Sequence, residues 1–166
     1  MVVRTSFLIA MMALSFSGCG KKGEEKIAEN IVKKAIEKES GGKADVDISN
    51  GNVNIKTDDG EMSVTSGKNA RIPEAFPTDI LIYQGSSVEA AMEVPEGYSV
   101  QLKSDDDVTK IAETYKADMK AQGWSQEASL DMGEQAMLSF KKGERAAQVV
   151  IMPDESITRI GLTTSK

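Results

Sequence analysis

From residue 45 onward the chain alternates apolar and polar residues with a period of two. No other feature limits the fold as much, because a strand sends successive side chains to opposite faces of a sheet. Val46 and Ile48, then Val53 and Ile55, then Met62 and Val64 make three such runs, broken at Asn50-Gly51 and at Asp58-Asp59-Gly60. Asn-Gly and Asp-Gly accept the positive backbone angles that tight hairpins need, so a three-stranded meander is expected. Its other face carries Asp45, Asp47, Asn52, Asn54, Lys56 and Ser63 and belongs in water. Further on, Val88, Ala90, Met92 and Val94 alternate up to a turn at Pro95-Glu96-Gly97, and Tyr98, Val100 and Leu102 alternate away from it, which predicts a hairpin. Four more strands are expected over 124–130, 135–141, 145–152 and 156–163. Each connection is short, so neighbours should pair antiparallel.

Two segments follow the helical period instead. Between Glu24 and Lys38, Ile27, Ala28, Ile31, Val32, Ala35 and Ile36 form one stripe that ends at Gly41-Gly42. This helix is expected to cover the apolar face of the meander; a seat on the membrane surface and a partner-binding role are its other readings. In the second segment Val108, Ile111, Ala112, Tyr115 and Met119 share a face that stops at Gly123, with Ser104 placed as N-cap and Asp105, Asp106 and Asp107 in the first turn. Consecutive acids on a helix point about 100 degrees apart and cannot converge on one ion, so capping is their expected role. The fold class is therefore α+β. A small helix-plus-meander module spans 24–67, a connector containing Pro73 and Pro77 spans 68–87, and an antiparallel sheet with one helix across one face, in the order β-β-α-β-β-β-β, spans 88–166. Trp124 and Phe140 are expected to anchor that helix to the sheet. The alternative is an open groove between them that holds an apolar ligand.

The amino terminus reads as an address. Arg4 precedes an apolar core, Phe7 to Leu14, that is much shorter than the roughly 20 residues needed to cross a bilayer. It ends in Phe16-Ser17-Gly18-Cys19, which resembles the lipobox of bacterial lipoproteins, with Phe16 where Leu is commonest. On that resemblance residues 1–18 are a signal peptide cut between Gly18 and Cys19, the Cys19 sulfur takes a diacylglyceryl group, palmitate is among its acyl chains, and 19–23 are a polar tether. The competing reading is an ordinary secretory signal with a stray cysteine nearby. Several acyl chains hold a soluble body on a membrane where one alone would not, since each buried methylene contributes about 0.8 kcal/mol. By the same resemblance, Gly20 in place of Asp favours the outer membrane, with the body facing the periplasm.

The run from Ile72 to Gly85, Ile-Pro-Glu-Ala-Phe-Pro-Thr-Asp-Ile-Leu-Ile-Tyr-Gln-Gly, resembles a group of uncharacterised bacterial lipoproteins that share a Pro-Glu-x-Phe-Pro, Asp, Tyr-x-Gly segment. The resemblance implies an envelope location and this order of elements, and it carries no assigned activity. Tyr83, before a turn, reads either as a recognition handle or as packing under the connector.

Composition narrows the function. Cys19 is the one cysteine and histidine is absent, so zinc, copper and haem sites of ordinary type lack ligands, and nucleophile activation by histidine is unavailable. Removing the first 18 residues takes away Arg4 and no acid, which leaves 19 basic and 26 acidic residues, a net charge of -7. An acidic surface argues against nucleic acid and against broad adhesion to anionic lipid. Asp45-x-Asp47-x-Ser49-Asn50-Gly51 imitates a calcium loop, but Lys56 stands where the closing glutamate should be. Ser139 and Lys142 share the spacing of a Ser-Lys nucleophile, yet an odd separation on a strand sends them to opposite faces. No catalytic residue, cofactor or metal is expected. The function expected is a membrane-anchored envelope lipoprotein, not an enzyme, that binds a protein partner or helps to assemble a complex; the alternative is a carrier of a small apolar or lipid ligand.

Overall fold

The computed structural model of the protein describes residues 45–49, 52–57 and 60–166. The expected signal peptide, Gly18, Cys19, the expected tether and the helix expected over 24–38 lie outside the described residues. Among the described residues nine strands, β1 (Asp45–Ser49), β2 (Asn52–Thr57), β3 (Gly60–Ser66), β4 (Ser87–Val94), β5 (Gly97–Ser104), β6 (Ser125–Asp131), β7 (Ala136–Lys142), β8 (Arg145–Asp154) and β9 (Ile157–Ser165), form an antiparallel sheet in the order β1-β2-β3-β4-β5-β9-β8-β7-β6. The α-helix α1 (Val108–Ala121) links β5 to β6. It carries the chain across the sheet to the far edge, from which three hairpin returns bring β9 back beside β5. No helix among the described residues is long and apolar enough to cross a membrane.

The meander and the C-terminal body share this sheet through the pairing of β3 with β4, in which Val64 faces Met92 and Thr65 faces Ala91. Directly paired residues lie on one face, so the registers trace which side chains look which way. Along one line, Thr65, Ala91, Val100, Leu162, Val149 and Leu138 share the inner face, the one that α1 covers. The adjacent line, Ile48, Val53, Val64, Met92, Ser99, Thr163, Gln148 and Ser139, lies on the outer face. Ser139 and Lys142 therefore fall on opposite faces.

The main core gathers Val100, Leu102, Leu138, Phe140, Val149, Ile151, Ile160 and Leu162 under Ile111, Ala112, Tyr115 and Met119 of the helix. Burial of each large apolar side chain contributes roughly 1.5 to 3 kcal/mol, which makes this face the principal source of stability. A second, small cluster on the meander unites Val46 and Ile55, both buried, with Ile48, Val53 and Met62.

The helix starts later than expected. Asp107, not Ser104, is its N-cap, with the carboxylate accepting the Lys110 N–H at 2.8 Å. Ser104 is the last residue of β5, buried opposite Thr158, and its hydroxyl accepts the Asp106 N–H at 3.2 Å. Pairing with β9 thus claims Ser104 for the sheet before the helix can use it. At the other end Gly123 adopts φ +83°, the Gly123 N–H donates to the Lys120 carbonyl, and the Trp124 N–H reaches back to that of Met119. A glycine accepts this left-handed conformation without a Cβ penalty, and the resulting turn drives Trp124 into the core beside Met119.

Candidate functional site

The space between α1 and the sheet is the first candidate, since a groove there was one reading of Trp124 and Phe140. Both rings are buried, along with Tyr115 and Met119. The connector supplies what the helix leaves uncovered. Residues 70–86 contain no strand or α-helix, and Phe76, Ile80 and Tyr83 join the main core, so the segment runs as a strap over the inner face. Phe76 meets Tyr98 edge to face at 5.5 Å, and Tyr83 stacks on Tyr115 at 6.3 Å. Tyr83 is thus a packing residue with one polar tie, its hydroxyl donating to Asp106 Oδ2 at 2.7 Å.

Asp79 pins the middle of the strap. Arg145 grips its carboxylate with both guanidinium nitrogens, at 3.0 and 2.6 Å, and Lys142 Nζ adds a third contact at 2.7 Å. The hydrogen bonds from Arg145 outweigh the opposing effect of burial and, with Lys142, hold the Asp79 carboxyl well below the usual carboxylate range. The Trp124 indole N–H donates to the Asp79 carbonyl at 2.9 Å, and the Arg145 guanidinium lies 4.9 Å from the centre of that indole. Three side chains, from β8, from β7 and from the turn after α1, therefore meet on one strap residue. At the strap's far end, burial and then the Asp106 contact push the Tyr83 phenol up, while Lys110 and then Tyr83 hold the Asp106 carboxyl down. Burial also pushes the Tyr115 phenol up, against a smaller opposing effect of the Tyr83 backbone, and its enclosed hydroxyl makes no hydrogen bond of good geometry among the described residues.

The second candidate is an open polar cleft of about 180 Å³ lined by Ser63, Thr65, Arg71, Pro73, Glu74, Ala91 and Glu93. The Thr65 hydroxyl fixes its wall, accepting from the Arg71 N–H and donating to the Arg71 carbonyl, each at 3.2 Å. Lys166 occupies one of its carboxylates, with Nζ 3.1 Å from Glu93.

The third candidate lies on the outer face, where the β6–β7 and β8–β9 turns come together at one end of the sheet. Leu130 pairs with Met137, and Met137 with Val150, which sets three apolar side chains in a row across β6, β7 and β8. Met132 follows two residues after Leu130, and Met152 two residues after Val150 on the same face. Leu130, Met132 and Met152 are 51%, 58% and 40% exposed, large apolar side chains left in water. Beside them β6 is an edge strand, exposed along its whole length, with a bulge between Gln126 and Ala128. The sequence reading missed this patch. Its signal was the unbroken apolar run Val149-Val150-Ile151-Met152, which departs from strict alternation and marks a strand with apolar side chains on both faces.

Among the described residues no three acidic side chains are grouped to hold a metal ion, and Asp105, Asp106 and Asp107 diverge into solvent, a Tyr83–Lys110 contact and a cap.

A family model described as START domain-like matches residues 85–157. The matched stretch runs from the end of the strap through β8 to the first residue of β9, and includes α1; it leaves out β1 to β3. No curated protein and no solved structure matches the chain.

Proposed function

We propose that the protein is a lipid-anchored, non-catalytic component of the bacterial envelope that binds a protein partner on its surface. The lipobox-like end at Cys19 supports the anchor. The observation that carries the binding reading is the distribution of apolar surface. The chain's own aromatic residues and strap occupy the helix–sheet interior, whereas Leu130, Met132 and Met152 stand exposed together on the outer face. Monomeric proteins seldom leave such clusters in water without a use, and methionine side chains adapt to varied partners.

Two experiments test the two halves. Labelled palmitate enters the wild-type product and fails to enter Cys19→Ser; equal incorporation removes the anchor. Crosslinking in intact cells followed by isolation of the lipidated chain recovers a defined envelope protein, and consistent absence of one removes the partner.

A second reading has support of its own. The START domain-like match is compatible with a helix–sheet body that binds a ligand, and the enclosed, unpartnered Tyr115 hydroxyl would then meet a ligand oxygen. That ligand would take the place of Phe76, Ile80 and Tyr83, so the strap must leave first. Native mass spectrometry of protein taken from its own envelope decides this reading: a bound apolar molecule sustains it, and an empty protein ends it.

A further inference from the structure

Resting on the partner-binding reading, we infer that the partner presents an extended segment that pairs with β6 as a tenth strand, apolar at alternate positions and flanked by lysine or arginine. The edge strand offers unpaired backbone N–H and C=O groups, and an incoming strand takes them up while its side chains line up with those of the strand it joins. The bulge beside Glu127 distorts the first half of β6 and discourages pairing there, which leaves Ala128–Asp131 as the regular stretch. Leu130 heads the row Leu130, Met137, Val150 on the outer face, and an added strand places its own apolar residue beside Leu130 and lengthens that row.

Charge selects among occupants. Glu127, Asp131, Glu134 and Glu155 are exposed around this corner. A second copy pairing antiparallel over Ala128–Asp131 would bring the exposed acids Glu127, Asp131 and Glu134 of both copies to one seam, a like-charge crowding that opposes self-association. An anionic lipid surface meets the same acidic rim and is repelled. A segment with basic ends meets the rim with opposite charge, and its apolar residues cover Leu130 and Met132.

The test uses the full-length lipidated protein in detergent and a fluorescein-labelled peptide, Lys-Val-Thr-Val-Thr-Val-Lys, with a counterpart that carries glutamate in place of lysine. The basic peptide binds, the acidic one does not, and amide exchange slows at residues 128–132 when the basic peptide is added. Leu130→Asp and Met132→Glu each weaken binding at least about tenfold, whereas Thr163→Asp, on the same face but three strands away from β6, binds as the wild type does. All three positions are exposed, so the variants keep the wild-type thermal midpoint to within a few degrees. Equal binding of the two peptides, no binding of either, or unchanged affinity in both patch variants overturns the proposal. So does a dimer that Leu130→Asp dissociates, or binding to phosphatidylglycerol vesicles that Leu130→Asp abolishes. In cells, a partner crosslinked only from another face overturns this assignment and leaves the partner reading standing; no partner at all removes both.

Discussion

The meander and the C-terminal body belong to one sheet and bury opposite sides of it. In β5 and β7 to β9 the apolar parity faces inward, with Val100, Leu162, Val149 and Leu138 under α1 and Ser99, Thr163, Gln148 and Ser139 outside. In β1 to β3 the parities are exchanged: Ile48, Val53 and Val64 look outward, and Asn52 and Thr65 look inward. β4 is the changeover strand, with Ala91 buried inside and Met92 half-buried outside. A continuous ladder of backbone hydrogen bonds is indifferent to which side is apolar. Each stretch of sheet buries whichever side its own alternation makes apolar, and two cores result, one large and one small.

Breaking the comparison calls for charges on the two parities. Leu162→Asp places an uncompensated charge in the main core and abolishes cooperative unfolding, while Thr163→Asp, one residue on and exposed on the outer face, stays within about 0.5 kcal/mol of wild type in urea titration. Were both tolerated alike, the assignment of inner and outer faces would be wrong.

Smaller changes grade the two cores. Leu138→Ala, in the fully buried inner line, costs about 3 to 5 kcal/mol, and Ile55→Ala, in the small cluster, about 2 kcal/mol, both read from denaturant midpoints. A larger loss at Ile55 than at Leu138 would reverse the ranking. Gly97→Ala tests the junction of β5 with β9, where a Cβ would run into the Thr164 carbonyl oxygen; overpacking of this kind costs about 1 to 3 kcal/mol.

The strap responds to acid. The Asp79 carboxyl is depressed in the folded state, so its contribution to stability is whole above about pH 5 and is lost as pH falls through the ordinary carboxylate range toward the folded value. Asp79→Asn lowers stability at pH 7 by on the order of 1 to 2 kcal/mol and flattens the acid limb between about pH 5 and pH 2. Chemical denaturation at several pH values measures both; an unchanged acid limb would show that Asp79 does not hold the strap. At the small end of the scale, Asp107→Ala removes a helix cap for about 1 kcal/mol, and Ser104→Ala leaves the start of the helix in place by circular dichroism.

Much of this architecture was legible in the residues. Period-two runs located the strands, Pro95-Glu96-Gly97 located a turn, and the spacing of Ile111, Ala112, Tyr115 and Met119 marked the buried face of α1. The cap was misread because Ser104 and Asp107 are both good caps by type, and only pairing of Ser104 opposite Thr158 in β9 decides between them. The candidate sites were less legible. Asp79 meets Lys142 and Arg145 across 63 and 66 residues of chain, and charge alone does not select those partners from 20 basic residues.

The sequence by itself determined which residues of a strand share a face and where each element turns back, because both follow from local backbone geometry and side-chain alternation. Only the tertiary structure decided which face lies inside, that β3 joins β4, that the strap fills the space beneath α1, and that Leu130, Met137, Val150 and Met152 meet at one exposed corner. Those outcomes depend on which strands become neighbours. That choice is made by the packing of segments far apart in the chain, on which local periodicity is silent.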